Sequence, residues 1–139
     1  MASFTVHGID EISAAFERAS GVPDEIKKKV LVAMAEEAKK AIETEGSYIK
    51  DPESDVHFIE KLKINSPKLS DSGGSITITF SGTRKRGNTT TRNAEIAFIN
   101  EFGKKGVAAR MFVRGGLEKY SERIFDAGDR VLHNWIEST

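Results

Sequence analysis

The sequence has no cysteine. Disulfides, thiolate metal sites and cysteine nucleophiles are therefore excluded, and the absence suits a cytosolic protein. It also has no net charge. Lys plus Arg and Asp plus Glu both total 21, whereas a chain that grips nucleic acid is usually basic overall. Balance leaves room for a local basic patch and removes the global argument. No apolar run approaches the ~18–20 residues that span a bilayer. The start, MASFTVHGIDEIS, has neither a basic opening nor an apolar h-region, so no signal peptide is expected. A length of 139 residues fits one domain, 1–139, with a single modest core.

What is present reads as mixed helix and strand. Phe4 and Val6 alternate with polar residues as in a short strand, and Asp10 suits the N-cap of a short helix carrying Ile12, Ala15, Phe16 and Ala19. Pro23, Asp24 and Glu25 form a clear helix start. Ile26, Val30, Met34, Ala38 and Ile42 then recur at helical spacing up to Gly46. Residues 47–57 fit either a short helical turn or a polar loop. Phe58, Leu62 and Ile64 share one parity as far as Pro67, and Ile76, Ile78 and Phe80 share one across from threonines. The intervening Asp71-Ser72-Gly73-Gly74 predicts a hairpin.

Beyond the hairpin, "TRKRGNTTTRN" (83–93) carries Arg84, Lys85, Arg86 and Arg92 with no acidic residue and no apolar anchor. It predicts a flexible basic loop or an extended hairpin tip. Ala94 to Phe102 has apolar residues on both parities, which predicts a central strand or one covered by a partner chain. A last helix is expected from about Val113 to Ile136, kinked at Gly115-Gly116 or starting after them. The fold class that follows is α+β: an antiparallel sheet of about four strands, packed by the long helix of the N-terminal half and by a C-terminal helix.

A catalytic constellation is harder to find. His7, His57 and His133 sit in separate elements without partners at metal-ligand spacing. The acidic pairs Asp10-Glu11, Asp24-Glu25 and Glu36-Glu37 fit helix starts or solvated helix faces. No catalytic residue, metal ligand or cofactor is assigned. Glu101 is the one carboxylate in an odd place, between an apolar run and a basic loop with Lys104, Lys105 and Arg110. It is either a clamp that fixes the loop or a general acid or base, and the second role needs a reacting group and an orienting partner. The basic stretch likewise has two readings. It is a solvated loop, or Arg84, Lys85, Arg86 and Arg92 contact phosphates without reading sequence. No aromatic residue lies within it for base stacking.

One family combines these features. Gly8-Ile9-Asp10-Glu11-Ile12 before a short helix, the Ala-rich helix at Val30 to Ile42, a hairpin, then Phe98-Ile99-Asn100-Glu101-Phe102-Gly103 and Ala108-Ala109-Arg110-Met111-Phe112-Val113-Arg114 resemble the small tail-completion and head–tail joining (minor tail) proteins of long-tailed bacteriophages and prophages. Specific matching is confined to about 97–114. Lys104 stands where threonine is common in that family, and Ala108 and Met111 where prolines are, which predicts a less rigid loop. The family's Pro-x-x-Thr-Gly-x-Leu pattern is not evident around 49–62.

The resemblance implies a virion structural protein, assembled in the host bacterial cytoplasm, that forms a six-fold ring with copies of itself. Its other partners would be connector or tail proteins, with possible non-specific DNA contact, no membrane and no catalysis. On this reading Phe102 and Phe112 bury a common corner, Glu101 and Arg114 brace the loop, and Ile99 faces a neighbouring subunit. The competing readings are a nucleic-acid-binding module using 84–92 and a small hydrolase or nuclease using Glu101 and a histidine.

Overall fold

Pro23 and the acidic pair after it open helix α1 (Asp24–Gly46), with the Pro23 carbonyl accepting from Ile26 and Lys27 N–H. The computed structural model describes residues 21–52, 54–70 and 73–138. The expected first strand and short helix, the Gly8–Ile12 motif and His7 lie outside the described residues, as do Asp71 and Ser72 of the turn.

The buried stripe of α1 is wide. Val30, Leu31, Met34, Ala35, Ala38, Ala41 and Ile42 are all inside, so the helix is covered on two flanks. A Cβ on Gly128 would stand 2.8 Å from Met34 Sδ and 3.2 Å from Val30 Cγ1, whereas one on Gly74 would stand 3.0 Å from Leu31 Cδ1. Helices therefore cover one flank and a hairpin the other.

The expected hairpin forms, but Gly73 and Gly74, read as part of its turn, are paired in a strand. Strand β1 (Leu62–Ile64) pairs antiparallel with β4 (Ile78–Phe80), and β2 (Lys68–Ser70) with β3 (Gly73–Ser75). The register runs from Leu62↔Phe80 to Ile64↔Ile78 and then steps by one residue to Lys68↔Ser75. Asn65 N–H still donates to Thr77 O at 2.9 Å, so Ser66 and Pro67 stand opposite Ile76. Proline has no N–H to continue the ladder, and a bulge results. Ile76, Ile78 and Phe80 are buried, as their shared parity predicts. Phe58 is not in the strand. It opens a short 3-10 turn, Phe58–Lys61, that leads into β1.

The described strands do not join into one sheet of about four strands. They form three separate two-stranded ladders, because the bulge divides the first hairpin and the second stands apart. The second hairpin is residues 83–92, where a flexible loop was one expectation: β5 (Thr83–Arg86) pairs with β6 (Thr89–Arg92). Gly87, with φ 63°, supplies the positive angle that a two-residue hairpin connection requires. Threonines at 89 to 91 favour strand and carry no burial signal, so the segment reads as loop by composition.

The larger correction concerns Ala94 to Phe102, which is helix α2 (Asn93–Phe102) and not a strand. Its buried residues are Asn93, Ala94, Ala97 and Glu101, at the three- and four-residue spacings of a helix. Apolar residues on both parities describe a broad helical stripe as well as a two-sided strand. The C-terminal region is two helices, α3 (Phe112–Lys119) and α4 (Ser121–Ser138), broken at Tyr120 (φ −108°, ψ 20°) and not at the glycine pair. Among the described residues no helix is long and apolar enough to cross a membrane.

Gly115 and Gly116 separate two roles. A Cβ on Gly116 would lie 2.9 Å from the backbone oxygen of Ala41, whereas one on Gly115 would meet nothing within 4 Å. Gly116 lets α3 approach α1, and Gly115 only costs helix propensity. Gly115→Ala is expected to stabilise by up to ~1 kcal/mol. Gly116→Ala is expected to destabilise by roughly 1–3 kcal/mol despite the same propensity gain. Thermal unfolding checks the pair, and equal shifts would refute the close approach.

Candidate functional site

Glu101 is buried, 3% exposed, at the C-terminal end of α2. Its Oε1 accepts the Val113 N–H at 2.8 Å and its Oε2 the Arg114 N–H at 3.0 Å. These are first-turn amides of α3, which have no acceptor within their own helix. The positive end of the helix dipole favours the carboxylate there. Glu101 O also accepts the Met111 N–H at 3.1 Å. One residue therefore holds both the start of α3 and the turn before it. With both oxygens engaged and the side chain enclosed, Glu101 has the geometry of a backbone cap.

The segment between is closed just as tightly. Asn100 O accepts the Arg110 N–H at 2.8 Å, and Asn100 Oδ1 accepts from Arg110 Nη1 at 2.7 Å. Lys104 and Val107 exchange both backbone hydrogen bonds, at 3.0 and 2.8 Å. Gly103 ends α2 at φ 78°, where a Cβ would lie 2.8 Å from both Val107 O and Ala109 N, so glycine is required twice over. Met111 has φ 44° and ψ 42°. Proline, locked near −65°, has no access to this backbone, so Met111 is not a looser stand-in for a rigid proline.

The expected pairing of Phe102 with Phe112 does not occur. Phe112 is buried at 4% exposure and packs edge-on to Phe58 and Phe80, with ring centroids 5.7 and 6.1 Å away. Phe102 is 58% exposed and lies 4.8 Å from Phe98, itself 44% exposed. Because 94–102 is helical, the turn that buries Glu101 carries its neighbour Phe102 outward. Ile99 is half-buried on α2. Arg114 contributes its backbone N–H to Glu101, while its guanidinium pairs with Glu118 at 3.0 Å. The expected bracing of the loop by Glu101 and Arg114 therefore runs through the Arg114 backbone and not through its side chain.

Of the four cations proposed to meet phosphate, Arg84 and Arg92 are held in ion pairs. Arg92 pairs with Glu95 at 2.8 Å. The Arg84 side chain is 8% exposed and makes a two-pronged contact with Asp51, at 2.6 and 2.8 Å. Asp51 Oδ2 also accepts the Phe58 N–H at 2.8 Å. Burial opposes the charged form of Asp51, but hydrogen bonds from Arg84 and Phe58, with the nearby charges, hold its carboxyl below its ordinary pKa. Lys85 and Arg86 sit near the exposed tip of the hairpin.

This buried pair escaped the sequence reading, because thirty-three positions separate its members and Asp51 lies in the ambiguous 47–57 segment. His57 is also engaged on both ring nitrogens, with Nε2 2.5 Å from Ile49 O and Nδ1 accepting the Ile59 N–H at 3.1 Å. His133 lies exposed on α4. Among the described residues no three His, Asp or Glu side chains cluster to hold a metal ion.

No protein-family model matches the chain, and neither a curated protein nor a solved structure matches it significantly.

The cap makes a quantitative demand. Hydrogen bonds to a charged group contribute ~1.5–3 kcal/mol each. Glu101→Ala is expected to cost about 3–6 kcal/mol, and Glu101→Gln, which keeps one acceptor oxygen but turns an NH2 donor toward the other amide, at least half of that. Urea unfolding of both variants checks this. Stability within ~0.5 kcal/mol of the parent would mean that the amides of α3 find other partners.

Proposed function

We propose that the chain is a structural subunit of a tailed bacteriophage or prophage particle, located at the head–tail junction or the tail end. It acts by assembling into a ring with copies of itself, six in the particle, and against connector or tail proteins. It carries out no catalysis. The reading rests on the resemblance over 97–114, and one observation about that stretch supports it. Within this short segment Phe98, Phe102 and Met111 remain 44, 58 and 49% exposed, beside Lys104, Lys105 and Arg110. Large exposed apolar side chains are a feature of interaction surfaces, and a surface that mates with a different face of the next copy closes into a ring when the rotation allows.

The nucleic-acid reading has less to support it. A phosphate would have to compete with Asp51 for Arg84 and with Glu95 for Arg92, and the chain has no net positive charge to draw it in.

Because Phe102 and not Ile99 is the exposed residue, the assembly test is Phe102→Asp. A charge buried at such a contact costs ~2 kcal/mol or more, a loss of about 30-fold or more in pairwise affinity. The variant is expected to fold as the parent does by circular dichroism and to lower the yield of complete particles when it is the sole copy supplied. Normal particle yield from the folded variant would remove this face from assembly. Normal yield with the gene deleted would remove the function.

A further inference from the structure

The hairpin β5–β6 is ordered without a core of its own. Neither strand contributes a buried apolar residue, and no residue of 83–92 belongs to the hydrophobic core cluster. A lone two-stranded hairpin is marginal in water at best, and threonines and cations bring it little apolar area. Its cross-strand pairs, Thr83↔Arg92 to Arg86↔Thr89, need an external hold.

Arg84 supplies the buried part of that hold, beside the more exposed Arg92–Glu95 pair. The side-chain partners of its guanidinium lie outside the hairpin. Asp51, 7% exposed on its side chain, takes two of the nitrogens, and Asn93 Oδ1 accepts from Nε at 3.1 Å. Asn93 is 2% exposed and opens α2. It also donates Nδ2 to Ser81 O and its backbone N–H to Gly82 O, both at 3.0 Å. Three segments thus meet at one guanidinium: the stretch around Asp51, the root of the hairpin and the start of α2. The planar fork of arginine fits a carboxylate and a third acceptor together, which an ammonium cannot reproduce.

We propose that the Asp51–Arg84 pair is a latch that fixes the direction in which the β5–β6 arm projects, and that opening it frees the arm while the body stays folded. Removing one partner of a buried ion pair leaves the other charge without compensation. Here the stranded guanidinium has an exit, since it sits on an element the core does not need. Swinging the root of the arm away returns it to water. The aromatic trio of Phe58, Phe80 and Phe112 and the stripe of α1 involve no arm residue, so the loss stays local.

Amide hydrogen exchange on the full chain tests the latch, comparing the parent with Asp51→Asn and with Arg84→Lys. The second variant keeps the charge and removes the fork. In both, exchange across Thr83–Arg92 is expected to rise by about tenfold or more while Val30–Ile42 of α1 stays within about twofold of the parent, the signature of a sub-global opening. Trypsin cleavage after Lys85 and Arg86 should accelerate in parallel. An arm as well protected as in the parent, in either folded variant, overturns the proposal. So does loss of protection in the arm and α1 together, or failure of either variant to fold, since the pair would then belong to the global core.

Discussion

Glu101 brings a carboxylate to the first turn of α3, where the N–H groups of Val113 and Arg114 would otherwise lie without acceptors. The position of the whole C-terminal region follows from that contact. With the start of α3 fixed, Phe112 enters the aromatic trio beside Phe58 and Phe80. Gly116 then meets the backbone of Ala41, and Gly128, further along on α4, meets Met34. The loop from Gly103 to Met111 is free to be polar and exposed because its two ends are held by one residue.

The two outward features of the body share a way of being mounted. The apolar end of α2, with Phe98 and Phe102, leaves the body at Glu101. The basic arm leaves it at Arg84 and Asp51. Each is joined through a charged side chain removed from water whose partners come from another segment. A buried charge tolerates little change of angle, because its compensation depends on short, directed hydrogen bonds. Such joints set direction as well as contributing stability, which is what the assembly role proposed above would need.

The sequence carried α1 and the first hairpin plainly, since their signals are local. Pro23, Asp24 and Glu25 announce the helix, its apolar spacing runs to Gly46, and Ile76, Ile78 and Phe80 share a strand face. Leu31 was missed because only a second covered flank explains its burial. The failures come where one local pattern fits two structures. Ala94 to Phe102 is apolar on both parities, and only the burial of Asn93, Ala94, Ala97 and Glu101 together shows which residues face in. Once that segment is helical, Phe102 points out, and the expected Phe102–Phe112 corner gives way to Phe112 with Phe58 and Phe80. The Glu101 clamp was one of two open readings, although the bracing side chain of Arg114 went elsewhere. The Asp51–Arg84 pair had no local signal at all. Its charges are far apart in the chain, and the arginine was one of four in a stretch that composition describes as solvated.

The role proposed for the chain is that of a ring-forming part of a tailed particle. The most direct measurement is cryo-electron microscopy of tailed particles assembled with the chain carrying an added tag. Tag density is expected at every symmetry-related position of a ring at the head–tail junction or the tail end. Complete particles that contain no copy of the chain would contradict it.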